Sequence, residues 1–331
     1  MIDLSADFRP PAWLANRHLQ SILPSLPLRR PAIERRAAAV IAASRPLVLE
    51  CGDGVRLLGL HASPAAGTES ALRRLTVLMH GWEGSADSLY VLSVAQLLHA
   101  RGHDVVRLNL RDHGGTHALN RELFHSCRLP EVVGAVARLQ AVFPVHRLQL
   151  AGFSLGGNFC LRVGAKARAA GIRIERIVAV CPVLDPSTTL DALERGPAVY
   201  HRYFLHKWSR SLRLKQDAWP GHYDFGDMVS NPSLRSMTER MVLKYTDYPD
   251  LATYLSGYAI TGGVLESLEV PTQVITSEDD PMILAHDLAR LARPDALELT
   301  VTARGGHCGY MDALAGPSWI DRKIVSELTR A

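Results

Sequence analysis

The sequence predicts an α/β protein, a mostly parallel eight-stranded sheet flanked by helices and interrupted by one helical insertion. Three observations lead there. Between about residues 47 and 181, β-rich apolar runs alternate with longer segments of helical period, the pattern of a parallel sheet covered by crossover helices. Two further β-rich runs follow residue 270. The composition, 47% hydrophobic and 21% charged over 331 residues, supplies a packed interior and excludes a disordered chain.

The elements read in order as follows. Residues 1–46 form an amino-terminal arm expected to lie across the surface. LVLEC (47–51) and VRLLGLHA (55–62), joined at Gly52-Asp53-Gly54, read as a hairpin. TVLMH (76–80), DVVRLNL (104–110), RLQLAG (147–152) and RIVAVC (176–181) are strands, and 88–101, 131–143 and 158–170 are helices. Each gap is long enough for the crossover that parallel strands require. TQVITS (272–277) and LELTVT (297–302) complete the sheet around a helix at 285–291. The core is thus 47–184 and 270–331, and 185–269 is a helical cap insertion holding eleven of the chain's 21 aromatic residues. That enrichment serves a small core of the cap's own, an apolar pocket over a site on the sheet, or both.

Gly152-Phe153-Ser154-Leu155-Gly156 stands where a strand turns into a helix. In this context a Gly-x-Ser-x-Gly is a nucleophile turn: the serine sits in a strained bend, and small residues are needed two before and two after it. The helix start beyond it favours developing negative charge. A serine hydroxyl needs a base oriented by a carboxylate. Arg304-Gly305-Gly306-His307 follows the last strand and offers His307 as the base. Ser277-Glu278-Asp279-Asp280-Pro281 closes the preceding strand, 126 residues after Ser154 and 27 before His307. Asp280, next to the proline that closes the turn, is the preferred acid, with Asp279 and then Asp185 as alternatives. The order Ser, Asp, His differs from those of chymotrypsin and subtilisin. For the oxyanion, donors are expected from the N–H of Leu155 and, in His80-Gly81-Trp82-Glu83-Gly84, from the N–H of Trp82. Arg111, Asp112 and His113, after the fourth strand, either line the pocket or brace the loop.

Together these residues resemble the α/β-hydrolase superfamily, and more narrowly the YheT-like hydrolases related to the eukaryotic ABHD1, ABHD2 and ABHD3 branch. The likeness also rests on Asn16-Arg17-His18-Leu19-Gln20-Ser21-Ile22, Leu108-Asn109-Leu110-Arg111-Asp112-His113-Gly114 and Gly306-His307-Cys308-Gly309-Tyr310. It implies an α/β-hydrolase fold and a Ser154, Asp280, His307 relay acting on carboxylic esters with lipid-like acyl chains. Eukaryotic relatives carry an amino-terminal membrane anchor, which is not expected here. Asp112 departs from the residue often found at that place in the family.

The expected reaction is ester hydrolysis through an acyl-enzyme, on esters of short to medium acyl chains. A thioesterase or amidase shares that route, and a non-catalytic ligand-binding homologue is the reading from another class. No metal or organic cofactor is expected, since His113 and His117 lack the His-Glu-x-x-His pattern and no phosphate loop is present. A formal charge of +4 argues against nucleic acid as a partner. Five cysteines without a Cys-x-x-Cys pair point to a reducing compartment, hence the cytoplasm. No signal peptide or transmembrane segment is expected. In 200–215, Tyr200, Phe204, Trp208 and Leu212 recur at spacing four, with Arg202, His206, Arg210 and Arg213 on another face. This basic amphipathic helix reads as a cap helix, with weak contact at an anionic membrane surface as the other reading. Oligomeric state is not legible.

Overall fold

The computed structural model describes residues 2–3, 8–65, 67, 72–230 and 233–330. The arm begins with β1 (Ile2–Asp3) and continues through α1 (Arg17–Ile22), α2 (Arg30–Arg36) and α3 (Ala38–Ala43). Asn16 starts α1 by accepting from the N–H groups of His18 and Leu19 at 2.9 and 3.2 Å, which satisfies two donors a helix start leaves free. The hairpin β2 (Ser44–Glu50) and β3 (Arg56–Ala62) follows. Then come β4 (Arg74–Met79), α4 (Leu89–His99), β5 (Asp104–Asn109), α5 (Leu129–Val142), β6 (Arg147–Phe153), α6 (Leu155–Ala167) and β7 (Ile174–Val180). Five helices intervene: α7 (Pro186–Arg195), α8 (Ala198–Ala218), α9 (Gly226–Ser230), α10 (Leu234–Tyr245) and α11 (Leu251–Ser256). The chain ends with β8 (Thr272–Ser277), β9 (Leu297–Thr302) and α12 (Trp319–Thr329).

The strands form one sheet in the order β1-β9-β8-β7-β6-β4-β5-β3-β2. β2 and β3, and β3 and β5, pair antiparallel; the other pairs are parallel. Eight strands match the expected ones, and the ninth is β1, whose Ile2 and Asp3 pair with Leu299 and Thr300. The helix expected at 285–291 is a 3-10 helix, Ala285–Arg290. Every residue of β4 and of β8 is buried, as strands covered on both faces must be. On one face Val132, Phe159 and Leu150 pack together, and on the other Leu92, Ile324 and Val178. Ile33, Ala37 and Val40 of the arm join this second core, so the arm is built into the protein rather than laid over it.

Because β4, β6, β7, β8 and β9 run in the same direction, the loops that follow them meet at one edge of the sheet. Non-glycine residues with positive φ gather there, Glu83 at 56°, Ser154 at 54°, Cys181 at 42°, Cys308 at 59° and Tyr310 at 45° among them. Each such backbone conformation costs on the order of 1–3 kcal/mol and persists only where surrounding structure holds it.

The inserted helices are tied to the sheet by a buried ion pair. Lys215 of α8 donates to Asp112 Oδ1 at 2.9 Å and to the carbonyls of Asn120 and Glu122 at 2.7 and 3.0 Å. Asp112 also accepts from the Phe124 N–H at 2.8 Å. It braces the loop after β5 and is not among the residues lining the cavity described below. Burial pushes its carboxyl up to about 6 despite the opposing charge of Lys215, and burial lowers the lysine. Lys215→Met strands this carboxyl, and the expected loss is about 3–5 kcal/mol. An acid raised in the folded state binds its proton more tightly there, so the loss should shrink as pH falls from 8 to 5. Urea unfolding at the two pH values checks this.

Candidate active site

The turn at Ser154 follows from sterics. A Cβ on Gly152 would lie 2.4 Å from the Gly156 carbonyl oxygen, and one on Gly156 would lie 2.4 Å from that of Met79. Both distances are impossible for a real side chain, so only glycine lets β6 turn directly into α6 beside β4. Ser154 takes φ 54° and ψ −119°, and its N–H donates to the Val180 carbonyl at 2.9 Å. Leu155 is the first residue of α6, where backbone N–H groups have no partner within the helix.

The loop after β4 is held by two buried imidazoles. His80 Nε2 accepts from the Leu110 N–H at 3.2 Å while its Nδ1–H donates to the Gly81 carbonyl at 2.7 Å. His113 Nε2 accepts from the Glu83 N–H at 3.1 Å, and its Nδ1–H donates to the Arg111 carbonyl at 2.6 Å. These pairings need neutral rings. Burial pushes His80 down to about 4 and His113 well below the ordinary histidine value. The Tyr90 hydroxyl accepts from the Gly81 N–H at 3.0 Å. His113 and Asp112 therefore brace the loops. Arg111 does the same, through a buried ion pair with Glu131 at 2.6 Å.

His307 Nδ1 is 2.7 Å from Asp280 Oδ2. The other oxygen of Asp280 accepts from the N–H groups of Met282 and Ile283 at 2.8 and 3.0 Å. Asp279 instead accepts from the Gly306 N–H at 2.8 Å. Asp185 caps α7 through the Ser187 N–H at 2.9 Å and pairs with Arg290 at 2.7 Å. Of the three acids considered, Asp280 is the one beside the imidazole. Burial disfavours the imidazolium, but the charge and hydrogen bond of Asp280 outweigh it, and the ring is held up at about 9.

Ser154, Leu155, Trp82 and His307 all line one cavity of about 660 Å³ between the sheet edge and the inserted helices. That volume lies within the range typical of small-molecule sites. Its walls are largely apolar, with Leu190, Met241, Leu255, Tyr258 and Ile283 among them. Trp82 stacks on Phe204 of α8 with ring centres 5.2 Å apart. Sequence reasoning passed over Glu83, which also lines the cavity. Burial raises its carboxyl to about 7, against the pull of Lys207.

Cys181, His307 and Cys308 place three ligand atoms within 4.8 Å of one another, the one such grouping among the described residues. His307 Nδ1 is already engaged by Asp280, and burial holds the Cys308 thiol well above its ordinary value. Among the described residues no helix is long and apolar enough to cross a membrane.

Comparison with known proteins adds to this geometry. A family model described as the alpha/beta hydrolase fold matches residues 76–218. The Escherichia coli (strain K12) protein YheT, classed by name as a candidate esterase, is 26% identical over 334 residues, spanning 98% of this chain and 94% of YheT. The Danio rerio monoacylglycerol lipase ABHD2 is 22% identical over 214 residues, 59% of this chain and 50% of that one. Among solved structures, the Pyrococcus furiosus esterase Pf2001 superposes with a TM-score of 0.58 at 15% identity, covering 90% of this chain and 93% of its own. The Bacillus subtilis carboxylesterase CesB gives a TM-score of 0.52 at 15% identity, with 92% and 98% covered. Fold, family model and a relative matched along nearly its whole length agree: the chain has the α/β-hydrolase fold and is similar to the YheT- and ABHD-like hydrolases.

Proposed function

We propose that the protein is a serine hydrolase that cleaves carboxylic esters of short to medium acyl chains through an acyl-enzyme. The observation that carries this reading is the 2.7 Å contact of His307 with the buried Asp280, behind a cavity lined by both His307 and a serine held on a strained strand-to-helix turn. Ser154 attacks the acyl carbonyl, and His307 takes its proton and returns it to the leaving alcohol. Asp280 fixes the imidazole tautomer and stabilises its cation. The N–H groups of Leu155 and Trp82 receive the charge on the carbonyl oxygen, each contributing a few kcal/mol in such sites (about 2.7–4). Water activated by the same histidine then releases the acid.

In this reading 185–269 acts as a cap over the core, 47–184 with 270–331, and its apolar underside holds the acyl chain. The exposed basic face of α8, formed by Arg202, His206, Arg210 and Arg213, suits weak contact with an anionic membrane surface. Five unpaired thiols fit a reducing compartment such as the cytoplasm.

A fluorophosphonate probe followed by peptide mapping tests the proposal. The expected adduct is on Ser154. Absence of labelling on folded protein, or an adduct elsewhere, overturns it. Nitrophenyl esters of rising chain length, run beside acyl thioesters, then size the pocket and separate ester from thioester preference.

A further inference from the structure

The segment Asn16 to Ile22 has no part in the chemistry above, yet it touches the base. The Ser21 hydroxyl accepts from the backbone N–H of His307 at 2.8 Å and donates to the Arg17 carbonyl at 2.7 Å. The neighbouring Gln20 is fully buried and grips the far end of the same loop at both polar groups of one residue. Its Oε1 accepts from the Met311 N–H at 2.7 Å, and its Nε2 donates to the Met311 carbonyl at 2.9 Å. Nε2 also donates to the Leu14 carbonyl at 2.9 Å, so the side chain reaches both the arm and the loop. Contact is close enough to exclude side chains: a Cβ on Gly309 would meet the Gln20 carbonyl oxygen at 1.9 Å, and one on Gly306 the Arg17 carbonyl oxygen at 2.5 Å. His18 adds a third attachment, its Nδ1 lying 2.9 Å from the Tyr200 hydroxyl of α8.

A loop of glycines has no stiffness of its own. Gly305, Gly306 and Gly309 flank His307, and each glycine adds backbone freedom that must be removed on folding. The imidazole is fixed by Asp280 at one ring nitrogen, and the core holds the backbone at Gly306 through Ser277 and Asp279 and at Cys308 through Cys181, which leaves the amide of His307 itself and the backbone of Met311 to be located by something else. α1 is placed to do this, with Ser21 at the amide of the base itself and Gln20 four residues further on.

We propose that Ser21 and Gln20 are positioning residues, through which the amino-terminal arm sets the place of His307 and completes the active site from outside the α/β core. The inference rests on the assignment of His307 as the base. Around His307 the titratable groups are Asp280 and Asp279 after β8, Cys181 after β7, Cys308 on its own loop, His18 of α1 and Tyr200 of α8. Ser21→Ala removes the acceptor and none of these charges.

The test compares wild type, Ser21→Ala, Ser21→Thr and Gln20→Met on a nitrophenyl ester, with rates normalised to active sites counted by fluorophosphonate titration. A small misplacement of a catalytic group costs up to about 100-fold, so kcat of Ser21→Ala should fall by about 10- to 100-fold at little change in KM. Ser21→Thr, which keeps the hydroxyl, should recover most of it. The readout that separates positioning from mere folding is the rising limb of kcat/KM against pH. A base loosened from Asp280 loses the interaction that raises it, and the limb moves toward lower pH. An unchanged kcat per active site in Ser21→Ala, or a fall in kcat with an unmoved limb, overturns the proposal. Gln20→Met is expected to show the same shift; should it fail to fold, Ser21→Ala still decides. If wild type itself carries no fluorophosphonate on Ser154, the hydrolase reading fails first, and the two failures are thereby distinguished.

Discussion

Ser154→Ala should lower kcat by about 10⁶ while leaving the fold intact, because it removes the atom proposed to form the acyl bond and nothing that holds the turn. Alanine carries the same Cβ and meets the same constraint at φ 54°, and the bond from the residue 154 N–H to Val180 is a backbone contact. The loop 80–84 and the start of α6 are untouched, so a residual acceleration of about 10³ over water is expected from oxyanion stabilisation and binding alone. Turnover of a nitrophenyl ester, with thermal unfolding as the control, measures both. Activity within about tenfold of wild type would show that another group is the nucleophile.

Asp280→Asn carries the second largest effect, about 10⁴ in kcat, since the imidazole loses the partner that selects its tautomer. Its pH signature is more telling. His307 must be neutral to accept a proton, and with Asp280 present the ring is held at about 9, so kcat/KM of the wild type should climb with pH up to about that value. Without the carboxylate, burial is left unopposed and drives the ring down, so the limb in Asp280→Asn should move below that of wild type. The same linkage acts on stability. The folded-state value lies above the ordinary 6.5, so the contribution of the pair is complete below about 6.5 and is lost as pH rises through about 9. Unfolding in urea at pH 6 and pH 10 tests the sign. Greater stability supplied by the pair at the higher pH would contradict it.

The turn at Ser154 and the loops that carry Asp280 and His307 were legible because each is a local pattern at the end of a β-rich run. Glycines two before and two after a serine state a steric requirement, and the order of Ser154, Asp280 and His307 along the chain states the topology. What escaped were contacts without a spacing rule. Lys215 and Asp112 lie 103 residues apart, and Gln20 and Met311 lie 291 apart; no periodicity relates such pairs. β1 is two residues long, too short for an alternating pattern. Glu83 carries no spacing signal of its own, and only the folding of its loop makes it a buried carboxyl on the cavity wall. The role of His113 depended on which of its two nitrogens faces the loop after β4, a fact of geometry alone.

The left-handed residues along the carboxyl edge of the sheet have a consequence for engineering. Relaxing any one of Glu83, Ser154, Cys181 or Cys308 to glycine removes a conformational penalty, and a search for heat-resistant variants would be drawn to these places. Two of these are the proposed nucleophile and the neighbour of the proposed base, and a third belongs to the loop proposed to supply an oxyanion donor. Durability gained along this rim would therefore come at the expense of turnover, and robust variants of this enzyme should be sought in the remote helices instead.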